Sequence, residues 1–297
     1  MNPRGAGNRL DPYTFAPALF VVLWSTGFIA AKFGLPYAPP LKFLLYRFVL
    51  VALLMLLVCL ATRARWPARR EDYAGVVIAG LLVHGVYLGG VFIAISRGMS
   101  AGTAAMLTGL QPVVTVFIAR SWLGERVVAR QWLGLVLGLV GVWLVVRQKI
   151  DFDGDLVALT AVLASLAAIS VGTIWQKQRA SHIDLRSGAV IQFSACALVY
   201  LPLVLAFEVG IPVHWTPSFT FAIGWSVLVL SLGAITVLYL LLRHGAAAGV
   251  ARLFYLVPPV TALFAWLLFE ERLDALALAG MVVIAIAVAL ARPRTDV

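Results

Sequence analysis

Ten apolar runs, each near the length that crosses a bilayer, follow one another through the 297 residues with only short polar breaks between them. They fall at about 13–31, 41–62, 73–96, 101–122, 131–147, 155–177, 187–207, 219–242, 246–269 and 275–291. A hydrocarbon slab of about 30 Å takes about 20 apolar residues per helix, and a lipid-facing helix must bond its backbone groups internally. The sequence is therefore read as an all-α integral membrane protein with ten transmembrane helices and no room for a soluble domain. The strict alternation of an outer-membrane barrel is missing.

Composition removes the other classes. Apolar residues make up 62% of the chain and charged residues 12%, against about 25% charged in ordinary soluble domains. That excludes a soluble enzyme, a nucleic-acid binder and a disordered chain. The net charge of +10 is assigned to cytoplasmic loops facing anionic headgroups, with no nucleic-acid partner. The first run follows Arg4 and Arg9 as a signal peptide would, but it is longer than a signal core and contains Trp24, Ser25 and Thr26, so it is read as a span. With the N-terminus inside, fifteen Lys and Arg fall in inner segments, six in outer loops, and Arg47 and Arg252 within spans. The bias predicts both termini in the cytoplasm. Cys59 and Cys196 lie in apolar runs without metal-binding company and are read as packing residues.

An internal repeat organises the spans. At an offset of 146, Arg97 falls on Arg243, Pro112 on Pro258, Thr115 on Thr261, Glu125 on Glu271, Arg126 on Arg272 and Gly134 on Gly280. At 145, Ser25, Gly27, Lys32 and Phe48 fall on Ser170, Gly172, Lys177 and Phe193. The chain thus divides into two five-span halves, 1–150 and 151–297. An odd number of spans turns the second half upside down relative to the first, the inverted-repeat plan of secondary transporters, whose sites lie near the midplane between the halves.

These residues resemble the EamA-type branch of the drug/metabolite transporter superfamily. The resemblance rests on a first span with Trp24-Ser25-Thr26-Gly27 ending in Lys32, on Arg47 in the second, and on a Pro112 span closing on Gly124-Glu125-Arg126. The second half repeats it as Ser170 to Lys177, Gln192 in place of the arginine, and Pro258 leading to Glu270-Glu271-Arg272. Within that branch the chain is similar to bacterial inner-membrane exporters of amino acids, including aromatic ones. It departs from the small multidrug exporters of the superfamily, which rely on a first-span glutamate; here Trp24 to Phe28 offers no acid.

All thirteen carboxylates lie outside the span interiors, which removes the usual intramembrane proton carrier. His84 and Tyr87 share a face of the third span; His84 either meets substrate and titrates, or is a neutral histidine bonded to a neighbouring helix. Arg252, opposite Met106 in the repeat, is the preferred carboxylate ligand, while Arg47 is read first as structural. Pro112, Pro258 and Pro259 mark hinge or cavity-lining points near mid-membrane, flanked by Gln111 and Tyr255. Trp24, Ser25 and Phe28 in span one, Ser170, Thr173 and Trp175 in span six, and Tyr239 in span eight complete the candidate substrate-binding set. Lys32 and Lys177 are read as headgroup anchors. Glycines at 85, 89, 134, 138 and 141 are read as close helix contacts within a monomer, with dimerisation second.

The sequence carries no phosphate-binding loop, metalloprotease motif or nucleophile elbow, and no catalytic residue, metal or cofactor is expected. The reading is a multi-pass carrier of the bacterial inner membrane, moving a small amphipathic metabolite, foremost an amino acid, by alternating access. The rivals are a lipid-linked or drug flippase of the same fold and a membrane-embedded lipid-modifying enzyme with His84 as base.

Overall fold

The computed structural model describes residues 15–99, 101–123, 128–146, 155–245, 247–269 and 275–290, all helix, turn or irregular chain without a strand among them. The helices are α1 (Ala16–Gly34), α2 (Pro40–Thr62), α3 (Arg70–Ser96), α4 (Ala101–Thr108), α5 (Gln111–Leu123), α6 (Ala129–Val146), α7 (Leu156–Ala180), α8 (Leu185–Phe207), α9 (Pro217–His244), α10 (Ala247–Ala251), α11 (Val257–Phe269) and α12 (Ala275–Leu290). Eight stretches are long and apolar enough to cross a membrane: α1, α2, α3, α7, α8, α9, the run Ala101–Ile118 over α4 and α5, and Gly249–Leu268 over α10 and α11. In the two remaining expected positions, α6 and α12 carry only the shorter apolar stretches Trp132–Leu144 and Leu278–Ala287. At 1.5 Å per residue the 16 residues of α12 reach only about 24 Å. The surface is as apolar as a lipid-facing surface must be: Leu198 and Phe207 of α8 are 72% and 71% exposed.

The helices of one half pack on those of the other in matched pairs. The helices equivalent at the offset of 145 to 146 pack on each other, α2 on α8 and α6 on α12. First helices meet the opposite half alike: α1 lies against α9 and α11, and α7 lies against α3 and α5. Small residues permit the close approaches. A Cβ at Gly90 would stand 2.2 Å from the Ala161 carbonyl, and one at Gly141 would meet Ile284 and the Gly280 carbonyl. Gly138 is covered by the Tyr255 ring, and Gly89 by the Tyr200 hydroxyl.

Several helices depart from α geometry. A π-turn interrupts α3 at Leu81–Val86 and α9 at Ser226–Ala234, the third helix of each half, and another ends α7 at Gln176–Ala180. The fourth span is two pieces, because α4 stops at Thr108 and α5 starts at Gln111 with Pro112 in its first turn. The ninth is likewise divided: a 3₁₀ turn over Arg252–Leu256 joins α10 to α11, whose first turn holds Pro258 and Pro259. Proline is tolerated there because the first N–H groups of a helix have no intrahelical partner. All three prolines are buried.

The bundle is tied differently at its two ends. Glu208, at the C-terminus of α8, is buried and accepts from the backbone N–H of Leu41 at 3.0 Å and of Lys42 at 2.8 Å, capping α2. The Lys42 ammonium donates in turn to the Val209 and Ile211 carbonyls, and His214 N–H donates to the Tyr37 carbonyl at 2.8 Å. At the opposite end Ser187 of α8 donates to the Arg65 carbonyl at 2.7 Å. The polar caps Glu125-Arg126 and Glu270-Glu271-Arg272 lie outside the described residues.

Candidate functional site

Two cavities lie between the halves. The larger, about 520 Å³, is bounded by Met55 of α2, the start of α8 and the second half of α9, with Asp184, Arg186 and Arg243 at its rim and Ser231, Ile235 and Tyr239 deeper in. The smaller, about 40 Å³, lies further in, walled by Trp24, Phe28, Arg47, Tyr87, Phe92 and Ile235 among others. The first volume is that of a small-molecule site. The second holds a few waters or one polar headgroup.

The barrier between them is thin. Ile235 borders both cavities, Arg47 borders the small one and Ser231 the large one. Arg47 Nε donates to Ser231 Oγ at 2.9 Å across that boundary. Ser231 lies about half-way along α9, within its π-turn, so the guanidinium stands deep in the bundle, 3% exposed. An arginine at a helix centre costs about 2.5–3.5 kcal/mol on insertion scales. Among the described residues no carboxylate lies within 4 Å of it; those described sit at helix ends, as Glu71, Asp72, Asp155, Asp184 and Glu208.

The small cavity has an aromatic wall. The Trp24 and Tyr87 rings stack at 5.8 Å, and the Trp24 indole N–H donates to the Tyr87 hydroxyl at 3.2 Å. Phe20 and Phe254 pack on Trp24 with centroids at 5.2 Å.

A second polar cluster links four helices beside Tyr239. Its hydroxyl donates to Gln192 Oε1 at 2.9 Å, His84 Nε2 lies 3.1 Å from the same oxygen, and Gln192 Nε2 donates to Gln176 Oε1 at 2.9 Å. An amide oxygen accepts only, so His84 carries its proton on Nε2. The imidazole is fully buried and stacks on Phe193 at 4.3 Å. Its Nδ1 has no hydrogen-bond partner among the described residues.

At the rim Asp184 caps α8, accepting from Arg186 N–H at 2.9 Å and from its guanidinium at 3.0 and 2.5 Å. The Arg186 guanidinium holds this carboxyl at about 2, below the usual carboxylate range, against partial desolvation. Outside the cavities, backbone N–H groups of α7, Ala158 foremost, together with Arg97, hold the Asp155 carboxyl low.

Of the candidates from sequence, Trp24, Phe28 and Tyr87 come together on the small cavity and Tyr239 on the large one, with His84 bonded behind it. The others face helix seams. Ser25 donates to the Val21 and Val257 carbonyls; Ser170 and Thr173 donate to carbonyls within α7. Trp175 donates to the Gly75 carbonyl at 3.0 Å near the end of α7. Tyr255 is buried against α6, donating to the Leu135 carbonyl at 3.0 Å. Gln111 is buried at the α4–α5 break with neither amide atom bonded to any of the described residues, and Arg252 opens the 3₁₀ turn half-buried. Sequence reasoning missed Ser231, Asp184, Arg186 and Arg243, and set Arg47 aside as structural. The signal for Arg47 was present: a chain with every acid outside its spans leaves an intramembrane arginine to find its counter-charge elsewhere. Among the described residues no group of three His, Cys, Asp or Glu gathers to hold a metal ion.

A helical bundle with an apolar exterior and two internal cavities, one aromatic-walled and one with a charged rim, is an architecture that suits a membrane carrier. The chain belongs to the EamA-like transporter family, whose model matches twice, over residues 13–147 and 156–292. It is 27% identical over 281 residues to the "Uncharacterized transporter YvbV" of Bacillus subtilis (strain 168), covering 94% of this chain and 90% of that one. It is also 27% identical over 278 residues to the "Probable amino-acid metabolite efflux pump" of Escherichia coli (strain K12), covering 90% of each. The "Uncharacterized inner membrane transporter YedA" of the same strain is 24% identical over 277 residues, 92% of this chain and 89% of its own. A solved crystal structure shares the fold at a TM-score of 0.75 and 19% identity, over 94% of this chain and 96% of its own.

Proposed function

We propose that the protein is a secondary transporter of the bacterial inner membrane that exports small amphipathic metabolites, foremost amino acids and among them aromatic ones. It works as a monomer by alternating access between two inverted halves, 1–150 and 151–297, with ten spans and both termini in the cytoplasm. The carrying observation is the pair of cavities parted by Ile235 and the Arg47–Ser231 bond. A large cavity stopped by a thin barrier from a smaller one beyond it is what a carrier holds before it switches. The matched packing of α1 on α9 and α11 with α7 on α3 and α5 supports the inverted halves. The similarity to a probable amino-acid metabolite efflux pump supports the substrate class. The distribution of basic residues supports the rim of Arg186 and Arg243 facing the cytoplasm and Glu208 facing outward, which makes this an inward-facing conformation in this reading.

Substrate enters past Asp184 and Arg186, rests against Tyr239, and meets the aromatic wall of Trp24, Phe28 and Tyr87 when the barrier parts. Pro112, Pro258 and Pro259 act as hinges at the helix breaks. The remaining candidates, Ser25, His84, Gln111, Ser170, Thr173, Trp175, Arg252 and Tyr255, act in this scheme through the seams that move.

The test is efflux from proteoliposomes loaded with the twenty amino acids, followed by mass spectrometry with and without a proton gradient. Selective protein-dependent release, weighted to apolar and aromatic side chains, is expected. Silence in both conditions, or release of lipid or lipid-linked sugar to the opposite leaflet instead, would overturn the substrate class.

A further inference from the structure

We propose that Arg47 is the anion-binding residue of the transport path, taking the substrate carboxylate in place of Ser231 as cargo passes from the large cavity to the small one. The inference rests on the carrier reading above and adds to it the chemistry at one atom set.

Three observations carry it. First, the guanidinium offers five N–H donors in a planar fork, and among the described residues only Nε is engaged, by Ser231 Oγ at 2.9 Å. Second, Arg47 is 3% exposed and borders a cavity of about 40 Å³, room for a carboxylate head but not for a whole metabolite. No carboxylate among the described residues neutralises the charge.

The third is the comparison the repeat provides. The position equivalent to Arg47 is Gln192, which also reaches from the second helix of its half to the third helix of the other. There a neutral amide makes the cross-half contact, and its oxygen and nitrogen are both used, by Tyr239, His84 and Gln176. An uncharged side chain therefore suffices to tie the halves at this place in the fold. The charge at 47 is surplus to that task, and the fork of an arginine matches a carboxylate with two parallel N–H···O bonds. Trp24, Phe28, Tyr87 and Phe92 around the cavity receive the apolar part of the cargo once the barrier parts. Ser231 is the resting acceptor: a neutral hydroxyl yields to an anion.

The probes are phenylacetate and phenylacetamide, which differ only in the charged group, titrated against the purified full-length protein in detergent with thermal stability as the readout. Phenylacetate is expected to bind roughly tenfold to a hundredfold more tightly than the amide, the range for one or two hydrogen bonds to a charged group. Arg47→Gln erases that difference, Arg47→Lys keeps part of it, and Ser231→Ala, which removes the competing acceptor, tightens the carboxylate alone. Equal binding of the two probes, binding of neither, discrimination that survives in Arg47→Gln, or displacement of phenylacetate by equimolar chloride would each overturn the assignment. Should Arg47→Gln not fold, the wild-type comparison and Ser231→Ala decide it. Transport is not part of this readout. A protein that binds phenylacetate through Arg47 yet moves no metabolite sinks the carrier reading alone, while a working carrier blind to the carboxylate sinks the Arg47 site alone.

Discussion

Gln192 shows how far a single residue can be read from sequence. Its place opposite Arg47 in the repeat is visible in the chain, but its four-helix role appears only when α3, α7, α8 and α9 are assembled. Helical periodicity tells which residues share a face and not which neighbour that face meets. For that reason Trp24 with Phe28 and His84 with Tyr87 were legible as two pairs, but not that Trp24, Phe28 and Tyr87 border one cavity or that Ser170, Thr173 and Trp175 turn to helix seams. Replacing Gln192 by leucine leaves the Tyr239 hydroxyl and His84 Nε2–H only each other, at 3.3 Å, so that one hydrogen of the pair is stranded together with an acceptor on Gln176. Each stranded group of this kind costs about 1–3 kcal/mol. Gln192→Leu is therefore expected to lower the unfolding midpoint in detergent clearly, and Gln192→Glu to lower it less. A midpoint equal to wild type for the leucine variant would show that the cluster contributes nothing to stability.

At the scale of elements, eight spans among the described residues were legible because an apolar run of membrane length has few alternatives, and helix interruptions fall at the prolines. What periodicity does not show is that each interruption is a restart: Pro112 and Pro258 open new helices instead of kinking old ones. The start of α8 gives the element its own prediction. Asp184 caps that helix and is held at about 2 by Arg186, below the unfolded value of about 4. A carboxyl depressed on folding contributes stability that is fully present above its unfolded value and is lost as pH falls through its folded value. The wild-type protein should thus lose stability between about pH 4 and about pH 2 by more than Asp184→Asn does. Parallel curves for the two proteins through that window, followed by thermal unfolding, would remove Asp184 from the account.

The molecule as a whole is built differently at its two ends. Glu208 holds the start of α2 through two backbone N–H groups in a buried site, and the large cavity reaches the opposite end. A cysteine in place of Thr236, which lines that cavity, should react with a membrane-impermeant thiol reagent added from the side that the rim of Asp184 and Arg186 faces and resist it from the other. Adding Glu208→Ala should raise labelling from the opposite side severalfold. Unchanged labelling from both sides in the double variant would mean that Glu208 does not hold its end shut.

The π-turns in α3 and α9 have a mechanical meaning. Each winds one residue more into its turn than an α-helix does, so each helix carries slack, like a spring with an extra coil. Conversion of that coil to α geometry would screw the rest of the helix round by about 100° and lengthen it by about 1.5 Å. In α3 the residue just past the coil is Tyr87, and in α9 it is Ile235: one belongs to the aromatic wall and the other to the partition. A rotation of that size would exchange the side chains facing the interior without breaking either helix, so the extra coil stores a twist.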